Sequence, residues 1–232
     1  MESDLIKMVH IEFYGLPGCS KSTVSHILAD IMRREGFKVI EPSYDLDHKT
    51  GRASRKLIKT AQMLAYSVTN PSKAAQIKKL VLNNGYSGSA AIPQISNIIQ
   101  KLCVYEKQRN AADICIWDQG IVQAAVSLAV TGNISSAENE AAIVSMLPAG
   151  IRIIKVYICD DIDTVKARMA KRATNDSRVE KLTDERAKDE LLSGFELACD
   201  KINADGGIVI KEQNADVNEL ADMLAVKVSE MI

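Results

Sequence analysis

The chain has 232 residues, of which 47% are hydrophobic and 25% charged, and its 29 basic and 30 acidic side chains leave a formal net charge of −1. This composition is typical of globular proteins and excludes a disordered, strongly charged chain. The balanced charge also argues against a nucleic-acid-binding protein, which needs a basic surface to hold phosphates. Aromatic residues amount to only 4%, so aliphatic side chains must build the core.

No uncharged apolar run reaches the length of about 18 residues that predicts a membrane span. Met1–Met8 carries charges and lacks the apolar stretch of a signal peptide. We therefore expect no membrane partner. The five cysteines are scattered and form no C-x-x-C pair. They predict neither a disulfide framework nor a zinc site, and they favour a reducing, cytoplasmic location.

Short runs rich in β-branched and aromatic residues predict strands that alternate with helices. The strand ranges are Val9–Tyr14, Phe37–Ile40, Ile114–Trp117, Ile151–Ile158 and Gly207–Ile210. Such alternation is typical of βαβ units, in which right-handed crossovers place helices on both faces of a parallel sheet. The sequence therefore predicts an α/β fold with a three-layer α/β/α arrangement and about five parallel strands.

Apolar residues at helical spacing predict the helices between these strands. The clearest ranges are Ser20–Arg34, Asp161–Lys171, Thr183–Asn203 and Asp216–Met231. The region from Asp45 to Arg109 contains no convincing strand and reads as a helical insertion.

That insertion is broken at Pro71, at Asn83–Gly85, and along the Gly-, Ser- and Ala-rich segment Gly85–Pro93. A further loop is expected at Gly132–Ser136. Since there is no internal repeat or low-complexity linker, we expect one domain over residues 1–232.

The strongest motif follows the first strand directly and is close to the phosphate-binding pattern G-x-x-x-x-G-K-[ST]. Its residues are Gly15, Leu16, Pro17, Gly18, Cys19, Ser20, Lys21, Ser22 and Thr23. Backbone N–H groups of a tightly wrapped loop, at the N-terminus of a helix, bind phosphate oxygens. Lys21 can reach the β- and γ-phosphates, and the Ser22 hydroxyl can ligate Mg²⁺. Ser20 departs from the pattern, which has glycine there.

With this loop in place, the chain resembles the P-loop nucleoside and nucleotide kinases, and thymidylate kinases most of all. Glu41-Pro42 is similar to the family's Arg-Glu-Pro, and Trp117-Asp118-Gln119 to its strand-end Asp-Arg. The segment from Arg168 to Glu180 resembles the arginine-rich lid that closes over ATP. The resemblance implies a single kinase domain with a helical acceptor-side insertion at about residues 45–110 and a lid at about residues 168–182. It also implies ATP and Mg²⁺ as cofactors, a small-molecule acceptor and a homodimer.

The chemistry of each predicted site residue suggests a role that does not depend on the resemblance. Asp118 ends a strand at the sheet edge where ligands of open α/β sheets bind, and it can hold Mg²⁺ or orient an acceptor. Glu41 can position the acceptor or act as a base, or it can be a solvated loop residue. Arg168, Arg172 and Arg178 can neutralise the transferring phosphoryl group, or can form a basic helical surface.

The acceptor side departs from the thymidylate kinases. Their phosphate-gripping arginines have no counterpart at Ile40, at Gln119 or near Ser96. Arg52, Arg55 and Arg109 can compensate from other positions. A phosphate without a guanidinium partner is costly to bury, which favours a neutral alcohol such as a nucleoside or sugar over a nucleoside monophosphate; both acceptor classes stay open. We expect its pocket near Gln94, Tyr105 and Gln119.

Two other functional classes compete with a kinase. A nucleotide-dependent switch would hydrolyse ATP without an acceptor and change shape for a partner. The lack of an Asn-Lys-x-Asp motif argues against a GTPase. A degenerate, binding-only homologue would explain Ser20 and Gln119. The three histidines, at positions 10, 26 and 48, are isolated in sequence and predict no ligand pair.

Overall fold

The computed structural model describes residues 8–49, 52–107, 111–171, 179–203, 208–211 and 216–232. The strands are β1 (Val9–Tyr14), β2 (Val39–Ile40), β3 (Ile114–Trp117), β4 (Arg152–Cys159) and β5 (Ile208–Lys211). They form one sheet in the order β2-β3-β1-β4-β5, in which every neighbouring pair is parallel. The predicted strands are confirmed: β1 and β3 have the predicted bounds, and the ends of the other three differ by at most two residues.

The helices in chain order are α1 (Lys21–Arg34), α2 (Pro42–Lys49), α3 (Arg52–Thr69), α4 (Pro71–Asn83), α5 (Gly88–Lys107), α6 (Ile121–Ala129), α7 (Ser136–Val144), α8 (Ile162–Ala170), α9 (Glu185–Asn203) and α10 (Val217–Met231). Helices α1 and α10 pack together, while α6, α7 and α9 form a separate group of contacts. The protein has the three-layer α/β/α architecture that the sequence predicts. Among the described residues, no helix combines the length and hydropathy needed to cross a bilayer.

Helix boundaries follow local capping. Asp161 and Asp216, predicted as first helical residues, lie just outside α8 and α10 and accept hydrogen bonds from the N–H groups of Thr164 and Asn218 at 2.8 and 2.7 Å. A side-chain acceptor at this position satisfies a donor that has no partner inside the helix. Each aspartate therefore starts its helix from the flanking position.

The helical insertion differs in detail from the prediction. Helix α2 begins at Pro42, directly after β2, and α5 begins at Gly88 and continues through Pro93. Pro93 lies less than two turns into α5, so its missing N–H removes only an early hydrogen bond of a helix that is otherwise well packed. The segment predicted as a break from Gly85 to Pro93 is thus only a short turn before a long helix.

A reciprocal pair of buried amides fastens the insertion to the rest of the protein. Asn84, at the end of α4, donates to Asn139 Oδ1 at 2.8 Å, and Asn139 in α7 donates to Asn84 Oδ1 at 3.1 Å. The Tyr86 hydroxyl adds a hydrogen bond of 3.1 Å to the carbonyl of Ser127 in α6. Buried polar groups that satisfy one another specify a single arrangement of the helices that carry them.

His10 on β1 is buried, and its ring nitrogen Nδ1 accepts a hydrogen bond of 3.2 Å from Trp117 Nε1. A protonated Nδ1 could not accept this bond, and burial lowers the pKa of His10 from 6.5 to about 4. The folded protein therefore holds His10 neutral over a pH range in which the unfolded chain protonates it.

This difference predicts that acid weakens the fold through His10. The contribution is complete above pH 6.5 and is lost as the pH falls toward 4, so we expect the free energy of unfolding to drop by about 2 kcal/mol between pH 7 and pH 5 from this residue alone. Urea denaturation of the wild type and of His10→Asn, which keeps an acceptor for Trp117, measures the effect. The variant should lack this component; an identical pH dependence in both proteins would contradict the prediction.

Candidate functional site

The loop between β1 and α1 wraps tightly because two glycines adopt backbone angles that other residues avoid. Gly15 has φ 144° and Gly18 has φ 102°. A Cβ atom on Gly15 would lie 2.1 Å from the backbone oxygen of Ile158, so only glycine fits against β4. Within the described residues, the N–H groups of Gly18 and Ser20 have no hydrogen-bond partner. These donors lie at the N-terminus of α1, where anions are favoured.

Ser20 is the only residue other than glycine with positive φ among the described residues, with φ 49° and ψ 12°. This is the left-handed conformation that glycine adopts without cost. The structure thus gives the physical reason why the motif has glycine there. The loop keeps its shape with serine, at the expense of some backbone strain.

Lys21 points into the loop. Its Nζ donates hydrogen bonds to the carbonyl oxygens of Gly15 and Leu16, at 3.0 and 2.5 Å, and only 8% of the residue is exposed. The other predicted loop residues differ in exposure: Cys19 is buried, Pro17 is half-buried, and Thr23 is exposed on α1. The ammonium group therefore lies inside the ring of backbone that the sequence assigns to phosphate.

Ser22 and Asp118, predicted from separate motifs, are in contact. The Ser22 hydroxyl donates a hydrogen bond of 2.9 Å to Asp118 Oδ2, which joins the start of α1 to the end of β3. The other carboxylate oxygen, Asp118 Oδ1, is buried and has no hydrogen-bond partner among the described residues. A hydroxyl and a carboxylate with an unsatisfied oxygen form the kind of oxygen donor set that Mg²⁺ prefers. The residues present therefore fit a magnesium ion beside the loop.

Gln123, in α6, holds the start of the loop. Its Oε1 accepts a hydrogen bond of 3.0 Å from the N–H of Gly15, and only 8% of the residue is exposed. Gln123 follows Asp118 by five residues, so the loop and the magnesium-type site are fixed to the same turn. Sequence reasoning missed this residue because a glutamine inside an apolar helix carries no motif.

A buried cluster lies next to the turn between β3 and α6. Its members are His10, Glu12, Tyr105 and Trp117. Glu12 is fully buried on β1, where it accepts hydrogen bonds from the Tyr105 hydroxyl and, at 2.7 Å, from the N–H of Val122. Burial raises the pKa of Glu12, and these hydrogen bonds oppose the shift. The Tyr105 ring stacks on His10 and Trp117 with centroid distances of 4.1 and 5.2 Å.

The structure also shows where the residues expected near the acceptor pocket lie. Tyr105 is fully buried, so the expectation that it lines an acceptor pocket is wrong: its hydroxyl is used by Glu12. Gln94 is half-buried and Gln119 is exposed, and their place at an acceptor pocket stays a prediction. A Cβ atom on Gly120 would lie 2.1 Å from Glu12 Cδ, which explains the glycine two residues after Asp118.

The base of the predicted lid lies against the phosphate loop. A Cβ atom on Gly18 would lie 3.2 Å from the Val165 oxygen and the Met169 Cγ, both in α8. Arg168, also in α8, places Nη1 3.0 Å from Asp160 Oδ2, as an ion pair rather than a well-aligned hydrogen bond. Burial raises the pKa of Asp160, and Arg168 opposes the shift. Arg172 and Arg178 lie outside the described residues.

Glu41 does not face solvent. The residue is 4% exposed, and its carboxylate contacts Nδ1 of His26 at 3.0 Å and Nη2 of Arg33 at 2.7 Å, both in α1. His26 looks isolated in the sequence because its partner, Glu41, is 15 residues away along the chain and outside α1. Arg109 lies outside the described residues, as do the side chains of Arg52 and Arg55.

Comparisons with known proteins agree with this geometry at the level of fold. No protein-family model matches the sequence, and no curated protein matches it in sequence. Among solved structures, thymidylate kinase from Candida albicans is similar with a TM-score of 0.55 and 13% identity, over 97% of this chain and 92% of that one. Deoxyadenosine kinase from M. mycoides is similar with a TM-score of 0.51 and 15% identity, over 96% and 100%.

The chain has the P-loop kinase fold. Shikimate kinase from Acinetobacter baumannii, solved in complex with shikimate, has the same fold with a TM-score of 0.50 and 15% identity, over 96% of this chain and 94% of that one. At these identities the likeness concerns the fold, and the chemistry must be argued from the residues of the chain itself. The P-loop kinase fold places the Gly15–Thr23 loop and Asp118 at the carboxyl ends of neighbouring parallel strands, β1 and β3.

Proposed function

We propose that the protein is an ATP- and Mg²⁺-dependent phosphotransferase, similar to thymidylate kinases, that moves the γ-phosphoryl group of ATP to a small acceptor. The observation that carries this proposal is the hydrogen bond between Ser22 and Asp118 next to the wrapped loop. It brings together, from two motifs 96 residues apart in sequence, the groups that phosphoryl transfer requires.

Each group has a defined task in this proposal. The loop N–H groups and Lys21 bind the β- and γ-phosphates and stabilise the charge that develops during transfer. Ser22 and Asp118 hold Mg²⁺, which when bound neutralises phosphate charge. Arg168, at the base of the lid, adds positive charge on the side of α8; Arg172 and Arg178 stay predicted lid residues. Excluding water matters because water would otherwise accept the phosphoryl group.

The acceptor class is a separate question. A nucleoside monophosphate needs cations to hold its phosphate, and the one guanidinium described next to Glu41, that of Arg33, is already paired with Glu41 and with Asp30 at 2.8 Å. A neutral alcohol, such as a nucleoside, needs no such partner. The homodimer and the cytoplasmic location implied by the sequence stay predictions.

The experiment is a transfer assay with γ-labelled ATP and Mg²⁺ over a panel of nucleosides, nucleoside monophosphates and polyols. The proposal predicts a labelled product with at least one acceptor, at a rate well above that of ATP hydrolysis. ATP hydrolysis that no acceptor accelerates would favour a nucleotide switch instead. No binding of ATP at millimolar concentration would remove both functions.

We predict that Asp118→Asn raises the Mg²⁺ concentration needed for half-maximal activity by about 10- to 100-fold, because it removes the charge but keeps an oxygen acceptor for Ser22. The measurement is the transfer rate as a function of free Mg²⁺ at saturating ATP. Asp222→Asn, the same change at an exposed position of α10, is the control and should keep the wild-type requirement. A wild-type Mg²⁺ dependence in Asp118→Asn would show that this carboxylate does not serve the metal.

A further inference from the structure

His26 and Glu41 form a carboxylate–imidazole pair that joins α1 to the residue after β2. His26 Nδ1 lies 3.0 Å from Glu41 Oε1 and 3.2 Å from Oε2. Arg33 Nη2 lies 2.7 Å from the same Oε2, so the carboxylate is fixed on two sides. A carboxylate paired with arginine only accepts hydrogen bonds, and Nδ1 of a neutral His26 therefore carries the ring proton.

A second contact fixes the plane of the ring. Tyr44 of α2 stacks on His26 with a centroid distance of 3.9 Å and an interplanar angle of 12°. With Nδ1 directed at Glu41, the geometry of imidazole directs Nε2 away from that carboxylate. Within the described residues Nε2 makes no hydrogen bond, and 32% of the His26 side chain is exposed. The ring is thus held in one orientation, and no described group uses the Nε2 lone pair.

The position of His26 along α1 places it next to the reacting end of the site. It follows Ser22 by four residues, which puts both side chains on the same face of the helix. Side chains in a helix lean toward its N-terminus, which for His26 is the direction of Ser22 and the loop. Ser22 in turn contacts Asp118. The imidazole therefore lies one turn from the groups assigned to Mg²⁺ and phosphate.

We propose that His26 is the general base of the transfer reaction and that the acceptor is an alcohol, an inference that rests on the proposed function. Nε2 takes the hydroxyl proton as the O–H bond breaks. The alcohol oxygen forms its new bond to the γ-phosphorus, and the bond to the bridging oxygen breaks, leaving its electron pair on ADP. Glu41, predicted as a candidate base, becomes a positioning residue because its oxygens already hold His26 and Arg33.

The base also narrows the acceptor class. A phosphate monoester loses its second proton near pH 6, so its oxygen attacks without help at neutral pH. An alcohol keeps its proton, and transfer to it gains from a positioned imidazole. An oriented histidine at this place is useful to an alcohol kinase and has no task in a nucleoside monophosphate kinase.

The decisive variant is His26→Asn. Asparagine places an amide nitrogen near the position of Nδ1, where it can still donate to Glu41, but it has nothing in place of Nε2. We expect the rate of transfer to an alcohol to fall by about 100-fold or more, with less than about a twofold change in the dissociation constant of Mg·ATP. We also expect the wild type and the variant to differ in how kcat changes with pH, because only the wild type has an imidazole at this position.

Among the described residues, the other charged or titratable groups shown in contact with this pair are Tyr44, Arg33 and, through Arg33, Asp30. The control is Arg34→Gln, an exposed position of the same helix, which should keep the wild-type rate and pH profile. In His26→Ala, added imidazole should restore part of the rate in proportion to its concentration, which a role in folding alone would not produce.

The outcomes separate this inference from the proposed function. Transfer to alcohols that is unchanged in His26→Asn, or transfer by the wild type to monophosphates alone, overturns the base and leaves the kinase intact. Loss of transfer with imidazole rescue supports the base. A wild-type protein that transfers phosphate to no acceptor overturns the proposed function, and the inference with it.

Discussion

Replacing Lys21 with alanine is expected to lower the rate of phosphoryl transfer by at least about 1000-fold, because the charge that develops on the transferred group then lacks its nearest fixed cation. The structure places this ammonium group inside the loop, bonded to the carbonyls of Gly15 and Leu16. Its position in the loop is therefore set before any phosphate arrives. The measurement is the transfer rate at saturating ATP and acceptor.

Lys78→Ala is the matched control, since Lys78 is exposed on α4 and far along the chain from the loop. Lys21→Ala removes the Nζ donor from the carbonyls of Gly15 and Leu16, the second of which keeps the N–H of Cys19 at 3.4 Å, so a loss of stability could imitate a loss of chemistry. Lys21→Met, which fills the same space without charge, and a melting curve for each variant separate the two effects. Wild-type turnover in a folded Lys21→Ala protein would exclude the assigned mechanism.

Replacing Gly120 with alanine is expected to lower the free energy of unfolding by about 3 kcal/mol, since the new methyl group would overlap the buried Glu12 carboxyl group. The built Cβ lies 2.1 Å from Glu12 Cδ, and Glu12 cannot move without giving up its hydrogen bonds to Tyr105 and Val122. In a protein of this size such a loss lowers the melting temperature by about 10 °C. Thermal unfolding followed by circular dichroism measures it.

Gly194→Ala provides the control for this substitution. Gly194 lies inside α9, where an added Cβ would meet only ordinary contacts of 3.4 and 3.6 Å with Val130. Alanine should therefore be neutral or stabilising there. The double variant Glu12→Ala/Gly120→Ala tests the cause: if overlap with Glu12 is responsible, the two effects will be clearly less than additive. Additive losses would assign the cost of Gly120→Ala to another contact.

The five strands and the four helices with clear amphipathic spacing are readable from the sequence because each of these elements carries its own periodicity. The loop from Gly15 to Thr23 is readable for the same reason: its residue types follow from local backbone demands. The contact between Ser22 and Asp118 also follows, since both positions lie at the carboxyl ends of neighbouring strands. These features depend on residues that are close in sequence, or on the rule that the carboxyl ends of parallel strands meet at one edge of the sheet.

What the sequence does not reveal depends on partners brought together only by packing. All six residues of the run V-H-I-E-F-Y of β1 are buried, including His10 and Glu12, because layers of helices cover the sheet. His10 and Glu12 find Trp117 and Tyr105, which lie on β3 and α5. His26 likewise contacts Glu41, which lies outside its own helix. No local pattern marks a histidine whose carboxylate partner lies on the next element.

The hydrogen bond from Gly15 to Gln123 has a thermodynamic consequence for ligand binding. It ties the first residue of the loop to α6, the helix that begins three residues after Asp118, so ordering either side reduces the entropy that remains to be lost by the other. If the loop binds the nucleotide and Asp118 the metal, as proposed, then nucleotide and Mg²⁺ should strengthen each other's binding by one and the same factor, as reciprocity requires.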